Sequence, residues 1–186
     1  RDLAENLGGN SIGRPYGGGS FSVSNNGVIA YTNTSYKHPS ELTVVNGKKS
    51  TQITNLNSHL LENRNLGFVE EIWYKSSFDN RDIHGWVVYP PNYDSSKSYP
   101  FLVENHGGPI SNYGSRFSAE MQLYAAAGYI VFYPNPRGST SYGEEFANLL
   151  HHNYPAEDYL DVMDGVDFCI NKGIAREEKL YVTGGS

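Results

Sequence analysis

A single cysteine, Cys169, stands in the whole chain. One thiol cannot close an internal disulfide, so nothing here calls for an oxidising compartment. Within Val166-Asp167-Phe168-Cys169-Ile170 it reads as a small buried apolar residue. Long apolar runs are missing too: none approaches the roughly 18 residues that span a bilayer, and no leader segment is visible. Basic clusters are likewise lacking. The 14 Lys and Arg are outnumbered by 20 Asp and Glu, the formal net charge is −6, and no basic run of five occurs. That balance favours solubility and argues against a nucleic-acid partner. The resulting expectation is a cytoplasmic protein with neither nucleic acid nor membrane as partner.

With 38% hydrophobic and 18% charged residues, the chain is globular rather than disordered. Its 186 residues suffice for one ordinary domain or for parts of two. It starts at Arg1 rather than Met and stops at Ser186 straight after an apolar run, which predicts that both ends are internal to a longer polypeptide. Asn33-Thr34-Ser35 fits a glycosylation acceptor, a pattern too common to carry a role.

The two halves follow different patterns. From Phe21 to Thr54 short β-prone runs alternate with turns: Phe21–Ser24, Val28–Thr32, a polar loop to Ser40, Leu42–Val45, Asn46-Gly47, then Gln52–Thr54. Asn-Gly between β-branched runs is a strong hairpin signal. Four antiparallel strands in about forty residues is the size of one propeller blade. The Gly-rich stretch from Gly8 to Gly19 precedes a strand, not a helix, so it reads as a connecting loop rather than a phosphate cradle. Beyond Leu66 a hairpin is predicted from Phe68–Lys75, a turn at Asp79–Asp82 and Ile83–Pro90. Strands at 99–105, 129–134 and 179–183 then alternate with helices at 118–127 and 157–171, which implies a parallel α/β arrangement. The second helix places Leu160, Met163, Val166 and Ile170 at helical spacing. The boundary falls in Asn55–Asn65, giving segments 1–62 and 63–186.

Chemistry concentrates at two strand ends. Thr183-Gly184-Gly185-Ser186 follows an apolar strand and supplies the first three residues of a G-x-S-x-G nucleophile elbow. Small residues are needed there because the turn is sharp and strained. His106-Gly107-Gly108-Pro109, also behind a buried strand, suits an oxyanion loop, in which backbone N–H groups face open space. Pro109 has no N–H, so Gly108 is the favoured donor. C-terminal strand ends are where α/β sheets bind ligands. A third loop, Asn135–Gly143, carries Arg137, which would hold either a substrate carboxylate or, the preferred reading, a structural Asp or Glu. Asp158, Asp161, Asp164 and Asp167 read as a solvated stripe, and His151-His152 cannot face one ligand from a helix. No metal site is expected from them. Triad order in this fold is Ser, then acid, then His. His84, His106, His151 and His152 all precede Ser186 and are rejected as the base.

These residues resemble the prolyl oligopeptidase family. The runs Glu70–Ser77, His84-Gly85-Trp86, Tyr99-Pro100 and His106–Pro109 look like the start of its catalytic domain. Phe117–Glu120, Gln122–Tyr129, Tyr133–Gly143, His151–Pro155 and Tyr181–Ser186 look like its acylaminoacyl-peptidase branch. The resemblance implies an α/β-hydrolase domain, of which 63–186 is the N-terminal part, preceded by the last blade or blades of a β-propeller. It implies a serine peptidase that cleaves short or N-acylated peptides through an acyl-enzyme, without cofactor or metal; a homo-oligomer at full length is compatible with this, but the sequence does not give the oligomeric state. Ser186 matches the nucleophile and Gly108 the oxyanion donor. His106, Gly107 and Arg137 support the substrate and its loops. The second donor, the triad acid and the triad His fall beyond residue 186. A carboxylesterase shares the machinery and is the rival enzyme reading. A non-catalytic propeller module would have no use for the elbow.

Overall fold

The computed structural model describes residues 4–186 and divides into two compact units. One takes the chain to Leu66 together with Gly114–Glu120. The other takes Gly67–Tyr113 and Met121–Ser186.

The first unit is built on an antiparallel sheet of four strands in sequential order, β1 (Phe21–Val23), β2 (Ile29–Ser35), β3 (His38–Asn46) and β4 (Lys49–Gln52). The turn at Asn46-Gly47 joins β3 and β4 as its sequence dictates, with Asn46 opposite Lys49. The polar loop expected between Thr32 and Ser40 is instead mostly strand. β2 runs on to Ser35, β3 begins at His38, and the register shifts between Asn33 and Ser35. Polar side chains hold this extension together: the buried Thr34 donates its hydroxyl to the His38 carbonyl. Residues 55–65, which show no periodicity, contain a single helical turn, α1 (Ser58–Leu61).

The second unit carries a mixed five-stranded sheet: β5 (Val69–Lys75), β6 (Asp82–Val88), β7 (Phe101–Asn105), β8 (Ile130–Asn135) and β9 (Leu180–Gly184), in the order β5-β6-β8-β7-β9. The β5–β6 hairpin is antiparallel, β6 meets β8 antiparallel, and β8, β7 and β9 run parallel. α2 (Ala119–Ala126) leads to β8. α3 (Glu144–Asn148) and α4 (Asp158–Asn171) lie between β8 and β9, and a 3-10 turn at Glu177–Lys179 enters β9. α3 is a helix that periodicity does not announce. It is a little over one turn, with Glu144 and Glu145 favourably placed at its N-terminus and Phe146 buried.

Alternation along the strands sends Ile72, Tyr74, Ile83, Val87, Phe101, Val103, Ile130 and Phe132 to one face, where they pack with Val166 and Cys169 of α4. Gly165 permits the close approach, because a Cβ there would lie 2.4 Å from the Phe132 ring. The expected stripe holds in part, with Val166 buried and Ile170 packed against the core. Asp161, Gly165, Val166 and Cys169 are buried, whereas Leu160 and Met163 are 38% and 36% exposed. The Cys169 thiol is buried and pushed up to about 12, mainly by burial. Among the described residues, no helix is long and apolar enough to cross a membrane.

Candidate functional site

β7 and β9 are neighbours in register, with Asn105 opposite Gly184. The residues that follow each strand therefore emerge side by side at one sheet edge, His106-Gly107-Gly108 from β7 and Gly185-Ser186 from β9. A Cβ built on Gly107 would fall 2.5 Å from Ser186 Cβ, 2.6 Å from the Gly185 carbonyl oxygen and 3.2 Å from Ser186 Oγ. Only glycine lets this backbone lie against the serine. Gly108 adopts φ +140 and Ser186 φ +89, both in the left-handed region. For a serine that conformation costs on the order of 1–3 kcal/mol and is a recurrent mark of functional turns. The loops open onto a cleft of about 1120 Å³, which Leu150, Tyr154, Tyr159 and Met163 also line.

His106 faces away from the serine hydroxyl. Its Nδ1 lies 2.9 Å from the Gly107 carbonyl oxygen and its Nε2 3.0 Å from Ser139 Oγ. Burial pushes the imidazole below its ordinary pKa, with the Gly107 carbonyl pulling the other way. Its ring meets Tyr113 edge-on at 5.2 Å. His84 stacks on Trp73 at 4.0 Å, accepts or donates at Nδ1 to the Tyr142 hydroxyl (2.8 Å), and sets Nε2 3.0 Å from Glu71. Burial lowers its pKa against the opposing pull of Glu71. His151 and His152 are exposed.

The Asn135–Gly143 loop is tied down by Arg137, which is 2% exposed rather than a surface residue. Its Nε and Nη2 donate to the two Asp161 carboxylate oxygens at 2.8 Å each, a bidentate pair, and its backbone N–H donates to Asp161 Oδ2 at 2.8 Å. Nη2 also donates to Ser76 Oγ at 2.8 Å, and Asp79 lies 3.2–3.3 Å from the guanidinium. Burial pushes the Asp79 carboxyl up, but hydrogen bonds from Arg81 and Arg137 outweigh it and hold it below its ordinary value. The solvated acidic stripe is thus corrected at one position: Asp161 is fully buried. A buried carboxylate needs a cation and donors, and this one has both. Asp164 is also engaged, accepting from the Ser77 N–H at 2.6 Å.

Ser139 and Asp161 were not legible as members of this arrangement. Ser139 sits in a Ser-Thr-Ser run, and Asp161 is one of four acidic residues three apart. The one available signal for Asp161 was the need of a loop arginine for a carboxylate.

Comparison with known proteins places these features in context. Residues 115–186 match the family model described as "Prolyl oligopeptidase family". An uncharacterised peptidase of Bacillus subtilis, YuxL, is 39% identical over 150 residues, covering 80% of this chain and 23% of that protein. Dipeptidyl-peptidase 5 of Schizosaccharomyces pombe is 32% identical over 174 residues, covering 90% of this chain and 24% of its own. The chain therefore spans about a quarter of the length of these relatives. Among solved structures, Pyrococcus horikoshii acylaminoacyl peptidase superposes with a TM-score of 0.79 at 30% identity, over 89% of this chain and 26% of that one. An acylaminoacyl peptidase in complex with Z-Gly-Gly-Phe-chloromethyl ketone gives 0.78 at 29%, over the same shares of each chain.

Proposed function

The chain belongs to the prolyl oligopeptidase family, and from that premise we propose that it is the nucleophile-bearing part of a serine peptidase acting on short or N-acylated peptides. Ser186 is the nucleophile. The observation that carries this reading is the strained Ser186 at the end of β9, with the Gly107 backbone packed against it. Attack by Oγ on the scissile carbonyl carbon forms a C–O bond and moves the carbonyl electron pair onto oxygen. The Gly108 N–H is the proposed donor to that oxyanion. A general base takes the Oγ proton and delivers it to the leaving nitrogen as collapse breaks the C–N bond, so the amine departs and leaves an acyl-enzyme, which water then hydrolyses. The triad acid and base, and the second oxyanion donor, are proposed to come from polypeptide C-terminal to Ser186. Residues 1–62 are proposed to close a β-propeller and 63–186 to open an α/β-hydrolase domain, a reading supported by the sequential four-stranded sheet and the β5-β6-β8-β7-β9 order. The aromatic and apolar wall of the cleft suits a peptide side chain. The test is to treat the full-length enzyme with a fluorophosphonate and map the adduct. Modification at Ser186 is expected, and modification elsewhere with Ser186 untouched would end this reading.

Gly108→Val is expected to lower kcat about a hundredfold or more with a smaller change in KM, because loss of one oxyanion donor is felt most in the transition state. The Cβ would lie 2.7 Å from the Ile110 nitrogen at a φ that β-branched residues avoid. Steady-state kinetics on a peptide p-nitroanilide decide it, and a change in KM alone would make the loop a substrate wall. Residues 1–186 expressed alone are expected to show no hydrolysis, since a serine without a base is a weak nucleophile and the base is proposed to come from polypeptide C-terminal to Ser186. Turnover by the purified piece would contradict the proposed origin of the base.

A further inference from the structure

The hydroxyl of Ser139 has no part in the chemistry above, yet it is fully buried beside the oxyanion loop. It lies 3.0 Å from His106 Nε2 and 2.6 Å from the Pro136 carbonyl oxygen. The Ser139 backbone N–H also reaches that carbonyl, at 3.1 Å. A single hydroxyl hydrogen serves one acceptor at a time. Burial disfavours the charged imidazole. In the neutral ring, a proton on Nδ1 donates to the Gly107 carbonyl oxygen and leaves Nε2 able to accept from the Ser139 hydroxyl. The Ser139 hydroxyl, 3.0 Å from Nε2 and 2.6 Å from the Pro136 carbonyl oxygen, is shared between these two acceptors, and the Ser139 N–H also donates to that carbonyl.

The reach of this contact follows from peptide planarity. The Gly107 C=O and the Gly108 N–H are opposite edges of one rigid trans unit. Whatever pins the carbonyl therefore aims the N–H. The turn that presents Ser139 is itself immobilised, because the Arg137 backbone and guanidinium are bonded to the buried Asp161.

We propose that Ser139 is a positioning residue for the oxyanion hole: its hydroxyl holds His106, which pins the Gly107 carbonyl and so directs the Gly108 N–H at the developing oxyanion. This rests on the assignment of Ser186 and Gly108 made above. Removing the hydroxyl leaves the donor present but loosely aimed.

The experiment uses the full-length enzyme with Ser139→Ala and Ser139→Thr. It measures kcat, KM, the affinity of a peptide aldehyde, whose hemiacetal with Ser186 bears the oxyanion, and the affinity of a product peptide. Ser139→Ala is expected to lower kcat and aldehyde affinity in parallel, by roughly ten- to a hundredfold, leaving KM and product affinity within about twofold. Ser139→Thr, which keeps the hydroxyl, is expected to recover most of the loss. In a His106→Ala background, Ser139→Ala is expected to add no further loss. Unchanged kcat, equal losses of aldehyde and product affinity, or additive losses in the double variant would each overturn the proposal. Should Ser139→Ala not fold, Ser139→Cys, a weaker donor of nearly the same shape, is read by the same criteria. An inactive Ser186→Ala beside an unaltered Ser139→Ala would remove only the positioning role, whereas an active Ser186→Ala would remove the peptidase reading itself.

Discussion

Ser186→Ala in the full-length enzyme is expected to lower kcat by on the order of a millionfold, the scale at which loss of a serine nucleophile is felt when its base and oxyanion donors remain. Folding should survive. The substitution deletes one oxygen atom from an exposed residue at the end of β9 and leaves the β7–β9 ladder untouched. The backbone conformation at φ +89 remains as costly for alanine as for serine, so no large change in thermal midpoint is expected in either direction. Burst kinetics on an activated ester, set beside the melting temperature, separate the two effects. A variant that keeps even one per cent of wild-type turnover with an unchanged melting temperature would move the nucleophile elsewhere.

The second large effect is expected at the other end of the same architecture. Asp161→Ala leaves the Arg137 guanidinium buried beside Asp79 and strips it of its bidentate partner, and the Arg137 backbone N–H loses its acceptor as well. Breaking a buried ion pair from one side typically costs about 3–5 kcal/mol, because the remaining charge stays desolvated. Denaturant unfolding of the full-length enzyme is expected to show a loss of that size. Asp161→Asn, which keeps an acceptor oxygen and the shape, should lose less. The double variant Arg137→Met with Asp161→Leu should recover much of the single-variant loss, since replacing both partners leaves no buried charge unpaired. Equal stability of Asp161→Ala and wild type would show that Asp79 and Ser76 satisfy the guanidinium unaided.

Those two residues also mark where the sequence was readable and where it was not. That the loops carrying Ser186 and His106–Pro109 follow strands of one sheet could be read because the pattern is local: glycines at fixed offsets behind apolar strands. The β5–β6 hairpin and the β7, β8 and β9 strands were visible for the same reason, since β-branched and aromatic runs bounded by turn residues need no distant information. Asp161 was read as solvated because its neighbours at Asp158, Asp164 and Asp167 carry the same charge at the same spacing. Only its pairing with Arg137, 24 positions earlier, distinguishes it. The same long-range fact explains the part of the α4 stripe that was misplaced. Hydrophobic spacing pointed to Leu160 and Met163, but the helix is turned so that Asp161 reaches the arginine and Gly165 meets Phe132. The extended β2 and β3 were missed because Asn33 to Ser40 is polar, and its strand character comes from cross-strand pairing, not from propensity.

The order in which the ladder closes bears on when the proposed peptidase site comes together. β5 and β6 pair across residues 76–81, so they can zip up early. β7 and β9 must bring Phe101 to Leu180, and closing that far longer loop costs roughly 2 kcal/mol more in chain entropy. Contacts of such sequence separation slow folding, and this pairing is expected to form after the local hairpin. The Gly107 backbone and Ser186 are therefore expected to remain apart until the rest of the sheet is in place, so that a half-folded chain would carry strands and a cleft wall without the paired loops on which the proposed cleavage depends. Pulsed hydrogen exchange during refolding would register this as late protection of residues 180–184 relative to 69–75 and 82–88, with reactivity toward a fluorophosphonate appearing no earlier than that final step.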